Sequence, residues 1–168
     1  MTQIRYSFVR ADMQCTKKQV SDTGWKTDNI PPRYSVFDKT RPCGSGWEWR
    51  CITCKATNGT AYRLFFHVSP TRAKWKAHLL KVGPDGQARA IVRLEDQAGN
   101  NGGGLHVHVD CDEATQTVGA LSIDMRYVFP DHGRRRRRRR SWTKPLFCQM
   151  AGQFFRTDMI VDQEEMEV

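Results

Sequence analysis

The chain lacks any run of about 18 apolar residues, so no segment of it reads as a membrane-spanning helix. Its first ten residues, MTQIRYSFVR, lack the apolar stretch of a secretory signal. We therefore expect a cytoplasmic, reducing compartment and no membrane partner. No internal repeat is visible, which excludes a long repeat array. Most of the chain also lacks an excess of positive charge. Of its 27 Lys and Arg, seven form one run, and without that run the net charge of +9 falls to +2.

What remains is a 168-residue chain that is 39% hydrophobic, with eight Phe and five Trp. That content supplies one core and is too high for a disordered protein, so a single domain over residues 1–168 is expected. Ile4 to Val9 alternates as a strand does. Residues 22–46 read as a long connection leading to a candidate cysteine cluster, with little periodicity from Asp22 to Pro42.

A hairpin follows. Trp47, Trp49 and Cys51 share one strand face, Asn58-Gly59 supplies the turn, and Tyr62, Leu64, Phe66 and Val68 line the return strand. Ser69-Pro70 is compatible with a helix start before Trp75 to Val82. The turn sequence Pro84-Asp85-Gly86, with Ala88 to Leu94 beyond it, favours a second hairpin. Leu105 to Asp110 and Gly119 to Phe129 read as further strands. Thr143 and Pro145 open a C-terminal helix whose stripe is Leu146, Phe147, Met150, Ala151, Phe154 and Phe155. The expected class is α+β: a mostly antiparallel sheet built from hairpins, with a packed amphipathic C-terminal helix.

Four features carry chemistry. The first is the Arg run: Arg134, Arg135, Arg136, Arg137, Arg138, Arg139 and Arg140, in an Arg-rich loop over residues 130–142. Guanidinium groups pair with phosphate oxygens and release counterions, so the run points to nucleic acid, RNA before DNA. Trp47, Trp49 and Trp142 are candidates for stacking on bases, although a buried place is the expectation for at least two of them. The run could instead dock an acidic protein surface, or the chain's own acidic tail at residues 158–168.

The second feature is the cysteines. Cys51 and Cys54 form C-x2-C, with Cys43 eight residues before the pair. Three thiolates can occupy three corners of a structural zinc site, with Cys15, His67 or Cys111 as the fourth ligand. The alternative is free cysteine packed in a core.

The third is the strand Leu105-His106-Val107-His108-Val109-Asp110, whose alternation sets His106, His108 and Asp110 on one face. With Glu113 they form a candidate metal site; without metal, His106 and His108 form an acid–base pair with Arg93 as the cation. H-x-H-x4-E resembles the first metal motif of the cupins, which would imply a small β-barrel and an iron, manganese, nickel or zinc enzyme. H-x-H-x-D also resembles the start of the metallo-β-lactamase ligand motif, with Cys111 where that motif has His.

The fourth is a pattern over two strands. Ile91-Val92-Arg93-Leu94-Glu95, a Gly-rich loop, and then Leu105-His106-Val107-His108 is similar to small bacterial proteins of toxin–antitoxin loci. Those show Arg-Leu-Asp followed by Pro-His-x-His; here Glu95 replaces the Asp and Leu105 the Pro. That resemblance implies a compact RNase-like toxin or an inactive relative. The expected function is RNA binding through the Arg-rich loop, in a bacterial or phage conflict system or a ribonucleoprotein. A small His-dependent enzyme and a protein-interaction module are the alternatives.

Overall fold

A computed structural model of the chain describes residues 11–36, 39–97, 105–109, 111–112, 117–118, 122–123 and 142–159. The Arg run, the strand read at Ile4 to Val9, Asp110, Glu113 and most of Gly119 to Phe129 lie outside them.

Residues 11–14 are helical, and ten strands and a further α-helix follow. They are β1 (Lys17–Asp22), β2 (Glu48–Ala56), β3 (Ala61–Ser69), β4 (Lys74–Val82), β5 (Ala88–Gln97), β6 (His106–Val109), β7 (Cys111–Asp112), β8 (Thr117–Val118), β9 (Ser122–Ile123), α1 (Lys144–Phe154) and β10 (Thr157–Asp158). Eight strands form one sheet in the order β10-β1-β2-β3-β4-β5-β6-β9, while β7 pairs with β8. Every neighbour in the large sheet is antiparallel except β1 with β10. The α+β class and both hairpins are therefore as the sequence suggests.

Turn chemistry explains the hairpins. Gly59 sits at φ +87° and Gly86 at φ +81°, a region that costs a side-chain-bearing residue strain. Asn58 Oδ1 accepts from the Thr60 amide at 3.0 Å, and Asp85 Oδ1 from the Gln87 amide at 3.0 Å. Ser69-Pro70 opens only a 3-10 turn, Pro70–Arg72, before β4 begins. A register shift at Leu79/Leu80 leaves Ile91 as an extra residue in β5.

Alternation divides the sheet into two packed faces. On the first, Ile52, Leu64, Phe66, Val68, Ala77, Leu79, Val92, Leu94 and Val107 are fully buried beneath α1. Phe147 of α1 lies 5.5 Å from Trp75 and 6.2 Å from Phe66 between ring centroids. Thr143 Oγ1 caps the helix, accepting from the Leu146 amide at 3.3 Å. One expectation fails here. Leu146 is 38% exposed, because the stripe that reaches the sheet is Phe147, Cys148, Ala151, Phe154 and Phe155.

The second face carries a smaller cluster of Ile30, Cys43, Trp49, Cys51, Phe65, Leu80 and Ala90, with Tyr34, Val36, Trp47 and Ala88 against it. The segment read as a surface connection supplies several of these residues. It is tied down by the bridges Lys26↔Trp49 and Ile30↔Arg41. Trp49 Nε1 donates to the Asp28 carbonyl at 2.9 Å.

The closure of the sheet rests on a polar residue. Lys17 opens β1 and has no exposed surface. Its Nζ donates to the carbonyls of Cys15 at 2.9 Å and Phe155 at 2.8 Å, and lies 4.9 Å from the Tyr62 ring centroid. Burial lowers its pKa below 10.5, against the opposing pull of Cys15, Cys54 and Asp12. Lys17 thereby holds the turn after α1 against β1.

Candidate functional site

Adjacent strands place directly paired residues on the same face. Across the second face the ladders give one row of Trp49, His67, Lys76, Glu95 and His106, and beside it Cys51, Phe65, His78, Arg93 and His108. Register thus sets His106 opposite Glu95 and His108 opposite Arg93. The three residues expected to act together are neighbours on the ladder, and Lys76, His78 and Glu95 join them.

Arg93 Nε stands 3.0 Å from Glu95 Oε2 within β5. The contact is an ion pair by distance, but the N–H is misaligned and makes no hydrogen bond. Both Glu95 and His78 are buried. Burial lowers His78 to about 3, helped by the cationic Arg93 and Lys76 and opposed by Glu95. At neutral pH His78 is therefore an uncharged imidazole. Burial also lowers the Lys76 amine below 10.5, with Glu95 opposing.

The next residue along the row links this cluster to the aromatics. His67 Nε2 donates to the Cys43 carbonyl at 2.9 Å, and its ring lies 4.4 Å from Trp47. Burial holds His67 below 6.5 in spite of that bond. Lys76 Nζ sits 5.6 Å over the half-buried Trp47 ring. Trp49 is 1% exposed, so it is core and closed to a base. Trp142, the second residue after Arg140, donates from Nε1 to the buried Asp96 carboxylate at 2.9 Å and packs edge-on against Phe147. Asp96 directly follows Glu95. Its side chain therefore lies on the first face, opposite the face of the Lys76–Glu95–His106 row.

Cys43, Cys51 and Cys54 do not share one face. Cys43 and Cys51 belong to the second-face cluster and Cys54 to the first-face core. The reason is the strand itself: an offset of three residues on β2 puts side chains on opposite faces. Burial pushes Cys51 up to about 12 and Cys54 up to about 11, so both are held as thiols. Cys43 is also raised by burial, and its Sγ donates to the Trp47 carbonyl at 3.2 Å. His67, a candidate fourth ligand, spends Nε2 on a carbonyl, and Cys15 lies beside Tyr62 on the other side of the sheet. Among the described residues no group of three His, Cys, Asp or Glu side chains is arranged to hold a metal. Also among them, no helix is long and apolar enough to cross a membrane.

Lys76 and His78 do not stand out in the sequence, although a signal exists there. Lys74, Lys76 and His78 alternate with Trp75, Ala77 and Leu79, and Arg93 and Glu95 with Val92 and Leu94. That is the phase in which His106 and His108 alternate with Val107. The chain matches no protein-family model, no curated protein and no solved structure.

Proposed function

We propose that the protein binds RNA, with the second sheet face and the Arg run contacting phosphates together. The observation that carries this reading is the ladder: Lys76, His78 and Arg93 share a face and rows with the positions of His106 and His108. Trp142, two residues beyond Arg140 in the sequence, is held by Asp96 at the Glu95 end of β5, on the first face. Cations of both origins then serve one polyanion. The test is fluorescence anisotropy with a labelled RNA across a salt series. Replacing Arg134 to Arg140 with Ser should flatten the plot of log affinity against log salt by about 0.7 for each phosphate no longer neutralised. Binding that ignores salt, or no binding, overturns the reading.

The register favours a second reading, in which the same face cleaves the RNA without metal. One imidazole at 106 or 108 takes the 2′-hydroxyl proton and the other protonates the 5′-oxygen as its bond to phosphorus breaks. Arg93 and Lys76 offset the charge on the phosphorus oxygens. The products are a 2′,3′-cyclic phosphate and a 5′-hydroxyl. The double variant His106→Ala with His108→Ala should abolish cleavage of a fluorogenic RNA and keep the fold; unchanged cleavage removes this reading.

A further inference from the structure

Trp47, Trp49 and Trp142 are the tryptophans that the sequence offers for stacking on bases, and the fold separates them. Trp49 is buried, and Trp142 is held by Asp96 on the first face. Trp47 is half-buried at the rim of the second-face cluster and keeps surface open to water. Polar contacts tie down the segment that carries it. Cys43 Sγ donates to the Trp47 carbonyl at 3.2 Å, and the Trp47 amide to the Gly44 carbonyl at 3.2 Å. Ser69 Oγ donates to the Gly46 carbonyl at 2.8 Å, and Arg72 Nη1 to the Ser45 carbonyl at 2.7 Å. Gly44 lies at φ +99°, where a Cβ would stand 3.0 Å from Trp47 Cδ1. A partly open ring is thus held in one place, with the His67 ring 4.4 Å away.

The charges around it are mostly positive. Arg72 stands in the turn before β4, and Lys74 and Lys76 follow on the second face, with Lys76 Nζ 5.6 Å from the Trp47 ring centroid. On the second-face positions of β4 and β5 at that end, Lys74, Lys76 and Arg93 stand against the single carboxylate of Glu95. Glu48, next to Trp47 in sequence, belongs to the first face and pairs with Lys144 at 3.0 Å. Trp25 differs. Arg50 and Lys144 lie 5.9 Å and 5.2 Å from its ring, but each is matched by a carboxylate, Asp22 or Glu48. At Trp47 the cations are in surplus.

A water-exposed ring among cations suits a single strand, whose bases stack on the ring while its phosphates meet the charges. A paired base inside a duplex cannot lay its face on a side chain. We propose that Trp47 is a stacking platform for an unpaired base of single-stranded RNA, with Arg72, Lys74 and Lys76 along the flanking phosphates. The platform rests on the RNA reading above and narrows it to unpaired RNA.

The experiment is fluorescence anisotropy with a labelled RNA single strand, the duplex of the same sequence, and the same strand carrying abasic sites. The full chain should bind the intact strand about tenfold or more tighter than either of the others. Trp47→Leu should lose about tenfold or more in affinity for the intact strand and keep its salt slope, because no phosphate contact is removed. Trp47→Phe should restore most of the loss, with circular dichroism reporting the fold of each variant.

An abasic strand bound as tightly as the intact one overturns the platform, whatever the variants do. A folded Trp47→Leu variant with unchanged affinity, or with a flattened salt slope, overturns it as well. In each of these cases salt-dependent binding of RNA keeps the RNA reading. Single-stranded DNA that binds through Trp47 where RNA does not keeps a platform for bases and overturns the RNA reading. Polyglutamate that binds where neither strand does overturns both and gives the surface to an acidic protein.

Discussion

The buried imidazole of His78 should make the protein acid-labile from a pH above the range in which carboxylates titrate. In the unfolded chain His78 takes a proton near 6.5, whereas in the fold it does so only near 3. Between those values the unfolded state binds one more proton than the native state, so stability falls as pH falls. Each pH unit is worth about 1.4 kcal/mol, so lowering the pH from 6.5 to 4.5 removes about 3 kcal/mol. The whole window removes about 5 kcal/mol, comparable with the total stability of a small domain at about 5–15 kcal/mol.

His78→Phe deletes the titrating group and keeps an aromatic ring beside Phe65. Urea unfolding of both proteins at neutral pH and at about pH 4.5 isolates the effect, because His67 and the carboxylates contribute equally to each. The variant should lose about 3 kcal/mol less than the unmodified protein over that interval. An equal loss in the two proteins would refute the reasoning, since it would mean that His78 titrates normally in the fold.

Three further outcomes are expected. Lys17→Met keeps the apolar stem but leaves the Cys15 and Phe155 carbonyls without their amine donor. At about 1–3 kcal/mol per orphaned acceptor, less the relief of a buried ammonium, the net loss should be about 2–3 kcal/mol in urea unfolding. The unmodified protein should also gain stability as pH rises from the lowered Lys17 pKa toward 10.5, and the Met variant should lack that gain; a variant as stable as the original contradicts the clamp. Iodoacetamide near pH 8 should leave Cys51 and Cys54 unmodified in the folded protein and label both in urea, as read by mass spectrometry. Fast labelling of either in the fold would place its thiol outside the core. Trp142→Phe removes the N–H donated to the buried Asp96 carboxylate and should cost about 1–3 kcal/mol by the same urea measurement.

The two central hairpins are legible in the sequence because turn and strand signals agree there. Asn58-Gly59 and Pro84-Asp85-Gly86 each sit between runs whose apolar residues recur at period two. Helix α1 is legible from its cap and Pro145, while its facing departs from the expected stripe at Leu146, which belongs to the exposed edge. β1 is not legible. Its sequence KKQVSD carries no apolar alternation; it is a strand through its ladders with β2 and β10, and Lys17 finds in Phe155 a carbonyl acceptor distant in sequence. The placing of the cysteines has a similar cause: C-x2-C suits a turn, and here it falls on a strand, where Cys51 and Cys54 part to opposite faces. The His-x-His strand shows which residues share a phase, but nothing local to it could show that Arg93 and Glu95 would be its register partners. Partner choice in a sheet is a property of the whole ladder, decided by which faces can be buried.

The Lys17–Phe155 bond joins residues 138 apart in the chain. Its consequence is felt during synthesis. Strands β2 to β5 emerge early and pair with neighbours in sequence, so the meander can form while the rest of the chain is still being made. Its first face, with Phe66, Trp75 and Leu79, then waits bare for α1, and Lys17 waits for the Phe155 carbonyl that accepts its hydrogen bond. The nascent protein therefore passes through a stage in which the β2–β5 meander shows water an unfinished core. Completion waits until α1 and β10 have left the ribosome.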